Sequence, residues 1–472
     1  MHTMKHFYLL IFFLLTCELI YSQTISQRLQ TAFEKLKTDS SLKHASLSLY
    51  VVNSKTNEIV FDYNSQLGLA PASCQKIITS ITAFEILGKD YHYKTEVGYN
   101  GEIKKGILTG NLIINGFGDP TLGSWRYKST KDTSILNNWM NAIVSAGIKR
   151  INGNVVLNTS SFSLQPIPGG WTWEDIGNYY GAGSWGLNWY ENQYDLTLKP
   201  GNKEGDSATI ISTKPEQTIA PLINNIKTDI IGSSDYATIY MSPYSKIGVV
   251  EGSLPANNNT VIISGANPNP LHLIGKIIED GLNSHHIKFK KITNSIEDLT
   301  ENNPIQKTDS VFYTNYSPSL DSINYWFMKK SINLYGEAFV KTIAFNKSKI
   351  GSTEEGVKII KEFWKEIGID KSELRISDGS GLSPQNRLTT NALVKALQYA
   401  REKSWFSSFY NALPLYNGMK LKSGTISGTK GFAGYHTSKS GTDYTVAIIV
   451  NNFDGSSSEI VKKIFLVLDE LK

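Results

Sequence analysis

The stretch Ala70-Pro71-Ala72-Ser73-Cys74-Gln75-Lys76-Ile77-Ile78 constrains this 472-residue chain more than any other. A proline-marked loop runs there into a segment whose apolar residues, Ile77, Ile78, Ile81, Ala83, Phe84 and Leu87, follow roughly helical spacing. Ser73 is expected at or just before the first turn of a buried helix, with Lys76 one turn further on. A separation of three puts both side chains on one face, so the amine reaches the hydroxyl without help from distant chain. A hydroxyl is a weak nucleophile until a base takes its proton, and an amine is a base only when neutral, which requires burial or neighbouring positive charge. Backbone N–H groups at the helix start face the same reacting oxygen. Ser-x-x-Lys alone proves little, since it recurs at Ser40/Lys43 and Ser427/Lys430, where an N-cap serine and a solvated lysine account for it.

The length allows about three domains and a sizeable core. With 40% hydrophobic residues the chain is globular rather than disordered. A net charge of +5 without a run of Lys or Arg gives no nucleic-acid footprint. His2 and Lys5 precede the apolar run Phe7 to Leu15, and Tyr21-Ser22-Gln23 follows. That is a secretory signal with cleavage expected after Ser22, too short to span a bilayer, so the mature protein is expected to be exported to the periplasm without a transmembrane anchor. Cys17 invites lipidation, but Thr16 stands where a small Gly, Ala or Ser is usually required. Cleavage leaves Cys74 as the single cysteine, which excludes an internal disulfide and reads as packing.

An amphipathic segment from Ile25 to Leu36 precedes a predicted hairpin, Ala45 to Val52 and Glu58 to Phe61 around the turn Asn53 to Asn57, which leads into Ser73. From about Tyr91 to Asn303 short alternating strands dominate, with an occasional helix such as Leu271 to Leu282. Helical texture returns near Leu320, and helices are predicted at Glu354 to Trp364 and Asn391 to Arg401. Strands follow at Met419 to Ile426, Gly431 to His436 and Tyr444 to Val450. In the closing helix Ile460, Ile464, Leu468 and Leu471 share a face that suits packing on the sheet better than membrane anchoring.

Three patterns now stand in order: Ser73-x-x-Lys76, Ser331-Ile332-Asn333 and Lys422-Ser423-Gly424-Thr425. This trio is the signature of penicillin-binding proteins and serine β-lactamases. Two members have decoys. Ser322/Asn324 repeats the second, and Lys439 to Thr442 repeats the third at a predicted hairpin turn. Beyond the trio, Gly118-Asp119-Pro120-Thr121-Leu122, Ala146-Gly147-Ile148 with Gly153-Asn154-Val155-Val156, Gly170-Trp171 with Tyr180-Gly181-Ala182, and Asp378-Gly379-Ser380-Gly381-Leu382-Ser383 extend the match over nearly all of the mature chain. The chain resembles the D-alanyl-D-alanine carboxypeptidase/endopeptidase family of class C low-molecular-mass penicillin-binding proteins. The block from Met328 to Asn333 with Glu337 resembles that family's second motif and selects Ser331 over Ser322.

The resemblance implies an α/β fold: a penicillin-binding-protein/β-lactamase-like transpeptidase domain, an antiparallel sheet flanked by helices, carrying large, mostly β inserted domains. About 250 residues between Ser73 and Ser331 fit the long-insertion class. The implied division is a signal peptide at 1–22, a first transpeptidase part at 23–90, the insertion at 91–304 and a second part at 305–472. By similarity Ser73 attacks a D-Ala-D-Ala type carbonyl while Lys76 takes its proton, and the acyl-enzyme is then hydrolysed. Ser331 and Asn333 relay protons and position substrate. Lys422 holds the substrate carboxylate and helps keep Lys76 neutral. Ser423, Gly424 and Thr425 contact substrate, and the N–H groups of Ser73 and Thr425 form the oxyanion hole. Ser423 departs from the commoner Thr but keeps a hydroxyl. Asp175, with Glu174 second, is the implied acid for the free amine of a peptidoglycan stem peptide, although an ordinary surface acid explains either as well. No cofactor is implied, and His285-His286 reads as a polar turn rather than a metal site. β-Lactams are the expected covalent inhibitors. A non-catalytic peptidoglycan-binding scaffold and a β-lactamase are the alternatives, disfavoured by the intact Ser73, Lys76 and Lys422 and by the long insertion respectively.

Overall fold

Thr24 caps the helix Ile25–Lys37 (α1) through a capping box with Gln27, and α1 turns Leu29, Phe33 and Leu36 inward. The computed structural model describes residues 23–216, 220–256, 259–301 and 304–472, so the expected signal peptide with Cys17 lies outside the described residues. The predicted hairpin forms as Ser46–Asn53 (β1) and Ile59–Tyr63 (β2), antiparallel with a bulge between Val51 and Val52. The predicted buried helix is Lys76–Leu87 (α2), ended by Gly88 at φ 85°. Nine of its residues are buried, from Lys76 to Phe84 without a break, so it is a central helix with no solvated face at its start.

The second half supplies Leu320–Lys330 (α3), Asn333–Ser348 (α4), Thr353–Glu366 (α5), Thr390–Arg401 (α6) and Phe406–Ala412 (α7). The strands Leu415–Tyr416 (β3), Met419–Ile426 (β4), Thr429–Thr437 (β5) and Asp443–Asn451 (β6) follow, and Ser457–Leu468 (α8) closes the chain. One six-stranded sheet unites the two ends in the order β3-β4-β5-β6-β1-β2, antiparallel throughout. Alternate residues of β6 serve two cores, as a strand covered on both faces requires. Val446, Ile448 and Val450 pack with α1 and α8, whereas Ala447 and Ile449 pack with α2 to α7. Ile460, Ile464, Leu468 and Leu471 of the closing helix and turn lie in the first of these cores, on the sheet.

The insertion carries its own sheets. The largest is mixed and five-stranded, in the order Ile292–Asn294, Val155–Asn158, Leu112–Gly116, His92–Tyr99, Ser310–Ser319. The helices Asp132–Ser145 and Pro270–Ser284 pack on it through Trp139, Ile143, Ile274 and Ile278. Two three-stranded sheets run through residues 193–266 and a third joins 102–109 to 150–151. The strand Ser310–Ser319 lies beyond residue 304 yet pairs with His92–Tyr99; two register shifts interrupt it, which blurs the alternation that would mark it in sequence. Lys341 of α4 ties the insertion to the helical layer, its buried Nζ donating to the carbonyls of Gln165 at 2.7 Å and Ser184 at 2.8 Å.

Candidate active site

Ser73 sits in a 3₁₀ turn, Ala72–Gln75, that enters α2 directly. Ala72 holds a left-handed φ of 46°, unusual for a residue with a side chain, and the surroundings explain it. The turn is clamped between β4 and the loop at 379–383. A Cβ on Gly424 would lie 2.4 Å from the Pro71 oxygen and 3.1 Å from the Ser73 nitrogen, and one on Gly381 would lie 2.0 Å from the Ala72 oxygen. Glycine at both positions lets backbone meet backbone. The strand of the third motif thereby runs against the Ser73 turn.

Lys76 is fully buried, and its Nζ lies 2.9 Å from Ser73 Oγ, 2.6 Å from Asn333 Oδ1 and 2.7 Å from the Ser380 carbonyl. Asn333 Nδ2 donates to the Tyr180 carbonyl at 2.8 Å, which fixes the amide with its oxygen towards Lys76. The Asn333 oxygen and the Ser380 carbonyl can only accept. Two N–H groups satisfy them, and the third direction from Nζ meets a hydroxyl that can donate. A neutral amine, with two protons and one lone pair, matches this arrangement. Burial pushes the Lys76 amine well below the ordinary lysine range, the Lys422 ammonium lowers it further, and the Asp378 and Glu337 carboxyls oppose. Lys422 is itself buried, pushed down to about 8 by desolvation, and donates to the Ser423 carbonyl at 2.8 Å.

Glu337, one helical turn beyond Asn333 on α4, accepts the Gly379 N–H at 3.0 and 3.1 Å. Burial, with Asp378 adding to it, pushes its carboxyl up to about 8. Asp378 spreads its acceptors over Gln75 Nε2, the Gly381 and Ser383 N–H groups, Asn386 and the indole N–H of Trp171. This carboxylate therefore ties the residue beside Lys76, the loop offering the Ser380 carbonyl, and the insertion. Cys74 is no rival nucleophile, because burial pushes its thiol up to about 12.

A cavity of about 1280 Å³ opens onto Ser73 and is lined also by Ser331, Asn333, Thr425, Asp175, Tyr180 and Arg126. Ser331 occupies a left-handed turn, φ 57°, between α3 and α4. Ser423 shares the β4 face of Thr425, opposite Lys422, but its hydroxyl donates to the Tyr416 hydroxyl at 3.1 Å and it does not line the cavity. Asp175 is half-buried in the short helix Trp173–Ile176 and accepts from the Thr172 hydroxyl at 2.8 Å. Desolvation raises its carboxyl, with Thr172 and Tyr180 hydrogen bonds opposing. Glu174 lines the same cavity. The decoys have structural tasks: Asn324 accepts from the Ser80 hydroxyl at 2.7 Å, and residues 438–442 turn between β5 and β6.

Sequence reasoning passes over the buried Glu191. It pairs bidentately with Arg126 at 2.7 and 3.1 Å and accepts from the hydroxyls of Ser124 and Tyr335, joining the cavity wall to α4. Its one signal is an acid enclosed by Trp189, Tyr190 and Tyr194.

Comparison with known proteins shows the family and the fold. The family described as D-Ala-D-Ala carboxypeptidase 3 (S13) matches residues 29–470. A D-alanyl-D-alanine carboxypeptidase of Actinomadura sp. strain R39 is 25% identical over 468 residues, covering 90% of this chain and 81% of the relative. The D-alanyl-D-alanine carboxypeptidase DacB of Haemophilus influenzae is 24% identical over 435 residues, covering 86% and 85%. The crystal structure of penicillin binding protein 4 (dacB) from Haemophilus influenzae superposes with a TM-score of 0.79 at 21% identity, over 94% of this chain and 99% of that one, which establishes the shared fold.

Proposed function

Because this chain belongs to the D-Ala-D-Ala carboxypeptidase 3 (S13) family, we infer that Ser73 is the nucleophile, and Lys76 its base, in a serine-type DD-peptidase that acts on peptidoglycan. The observation that carries the assignment is the buried Lys76 amine, whose two acceptors, Asn333 Oδ1 and the Ser380 carbonyl, leave its third direction to Ser73 Oγ 2.9 Å away. Ser73 Oγ attacks the carbonyl of the penultimate D-Ala and its proton passes to Lys76 Nζ. The C–N bond then breaks, the terminal amino acid leaves with a proton from the Lys76 and Ser331 side, and water hydrolyses the ester. The N–H groups of Ser73 and Thr425 are the donors for the developing oxyanion, supported by the close approach of β4 at Gly424.

Buried on the β4 face that meets the Ser73 turn, Lys422 acts mainly through charge, lowering the Lys76 amine. Asp175 faces the cavity from the insertion and is the acid for the free amine of a stem peptide, with Glu174 beside it. β-Lactams acylate Ser73 as substrate mimics. The apolar N-terminal run supports export to the periplasm, and no helix among the described residues is long and apolar enough to cross a membrane. The test is the intact mass of the mature protein after incubation with penicillin, wild type against Ser73→Ala. A stable adduct in wild type alone is expected. No adduct and no drug turnover would identify a scaffold, and turnover without accumulation a β-lactamase.

A further inference from the structure

The second decoy pair, Ser427/Lys430, leaves a lysine with a place of its own in the site. Thr425 and Lys430 are register partners on β4 and β5, and Lys430 Nζ donates to Thr425 Oγ1 at 2.6 Å. An ammonium cannot accept a hydrogen bond, so the Thr425 hydroxyl keeps its own proton for another partner. Among the described residues no acceptor takes that proton, and Thr425 is exposed on the cavity that contains Ser73. Lys430 is half-buried and forms no ion pair among the described residues; the Phe432 ring lies 5.3 Å from its Nζ. The other cations nearby are committed or displaced. Lys422 is 1% exposed and bonded to the Ser423 carbonyl, Arg126 is held by Glu191, and Lys330 is exposed at the rim.

We propose that Lys430 is a specificity-determining positioning residue, which orients the Thr425 hydroxyl proton into the cavity and supplies the positive charge that selects substrates ending in a free carboxylate. The arrangement is a charge-assisted relay: the lysine polarises the threonine oxygen, and the threonine proton meets a carboxylate oxygen. A carboxylate gains from both the donor and the field behind it, whereas a neutral ester or amide gains from the donor alone.

The inference rests on the DD-peptidase reading, and its test separates the two. Second-order acylation rates are measured for wild type, Lys430→Met and Lys430→Arg with benzylpenicillin and with its methyl ester. Lys430→Met is expected to lose about tenfold more with the free acid than with the ester, the size of one charge-assisted contact, and Lys430→Arg to recover most of the loss. The ester rate that survives also reports that the variant is folded. An equal loss with both compounds assigns Lys430 a structural role and overturns the proposal, as does no loss with either. Absence of acylation in wild type would instead sink the DD-peptidase reading.

Discussion

Substituting Gly424→Ala tests whether the site depends on backbone meeting backbone. The new Cβ would lie 2.4 Å from the Pro71 oxygen, 3.0 Å from the Cys74 nitrogen and 3.1 Å from the Ser73 nitrogen. None of these is a side-chain end that can swing aside, so restoring ordinary contact requires β4 and the Ser73 turn to part by about 1 Å. Overpacking of this kind costs about 1–3 kcal/mol of stability. A shift of about 1 Å at a reacting centre costs about 10²-fold in rate, and here it separates Ser73 from the strand that supplies Thr425. The assay pairs the penicillin acylation rate with a thermal melt: a folded protein with a lowered melting temperature and acylation slowed by about two orders of magnitude is expected. Wild-type acylation with an unchanged melt would refute the reasoning, because it would mean that the turn and strand are not in contact.

Two further outcomes follow from the buried carboxyls. Glu337 is pushed up to about 8, so the folded protein binds its proton more tightly than the unfolded chain; that stability is complete below the ordinary glutamate range and is lost as pH rises through about 8. Glu337→Gln should therefore flatten the fall of stability between about pH 5 and 8, by roughly 1 kcal/mol per pH unit relative to wild type, in urea melts across that range; parallel wild-type and variant profiles would contradict it. Trp171→Phe removes the 3.0 Å indole contact to Asp378 and should cost about 1–3 kcal/mol, read as a lower urea midpoint, together with slower acylation because Asp378 holds Gln75 and the 379–383 loop. Wild-type values in both assays would show that the insertion does not brace the site.

How much of this was legible in the sequence depends on how local each signal is. Ser73 and Lys76 share a helix face, so their contact is written in a spacing of three. The strands of the main sheet show because β6 is an apolar run and β4 and β5 follow turn residues at Asn417-Gly418 and Ser427-Gly428. Strand alternation puts Ser423 on the face opposite Lys422, where its hydroxyl meets that of Tyr416, a contact that motif matching does not weigh. Asp378 lies about 300 residues from Gln75 and about 200 from Trp171, and its role is set by which backbone N–H groups surround it, which no local pattern encodes. Glu191 is hidden for the same reason. Its partners Arg126 and Tyr335 come from an inserted loop and from α4.

The mechanism turns on the charge of one amine, and lysine Nζ resonances in protein carrying ¹⁵N-labelled lysine report it. At neutral pH the Lys76 signal, assigned by its loss in Lys76→Arg, should have the shift of a free amine and move to the ammonium position only on acidification. An Nζ that stays in the ammonium form well above neutral pH, in a protein that is still acylated by penicillin, would contradict the account of Lys76 as the resting base.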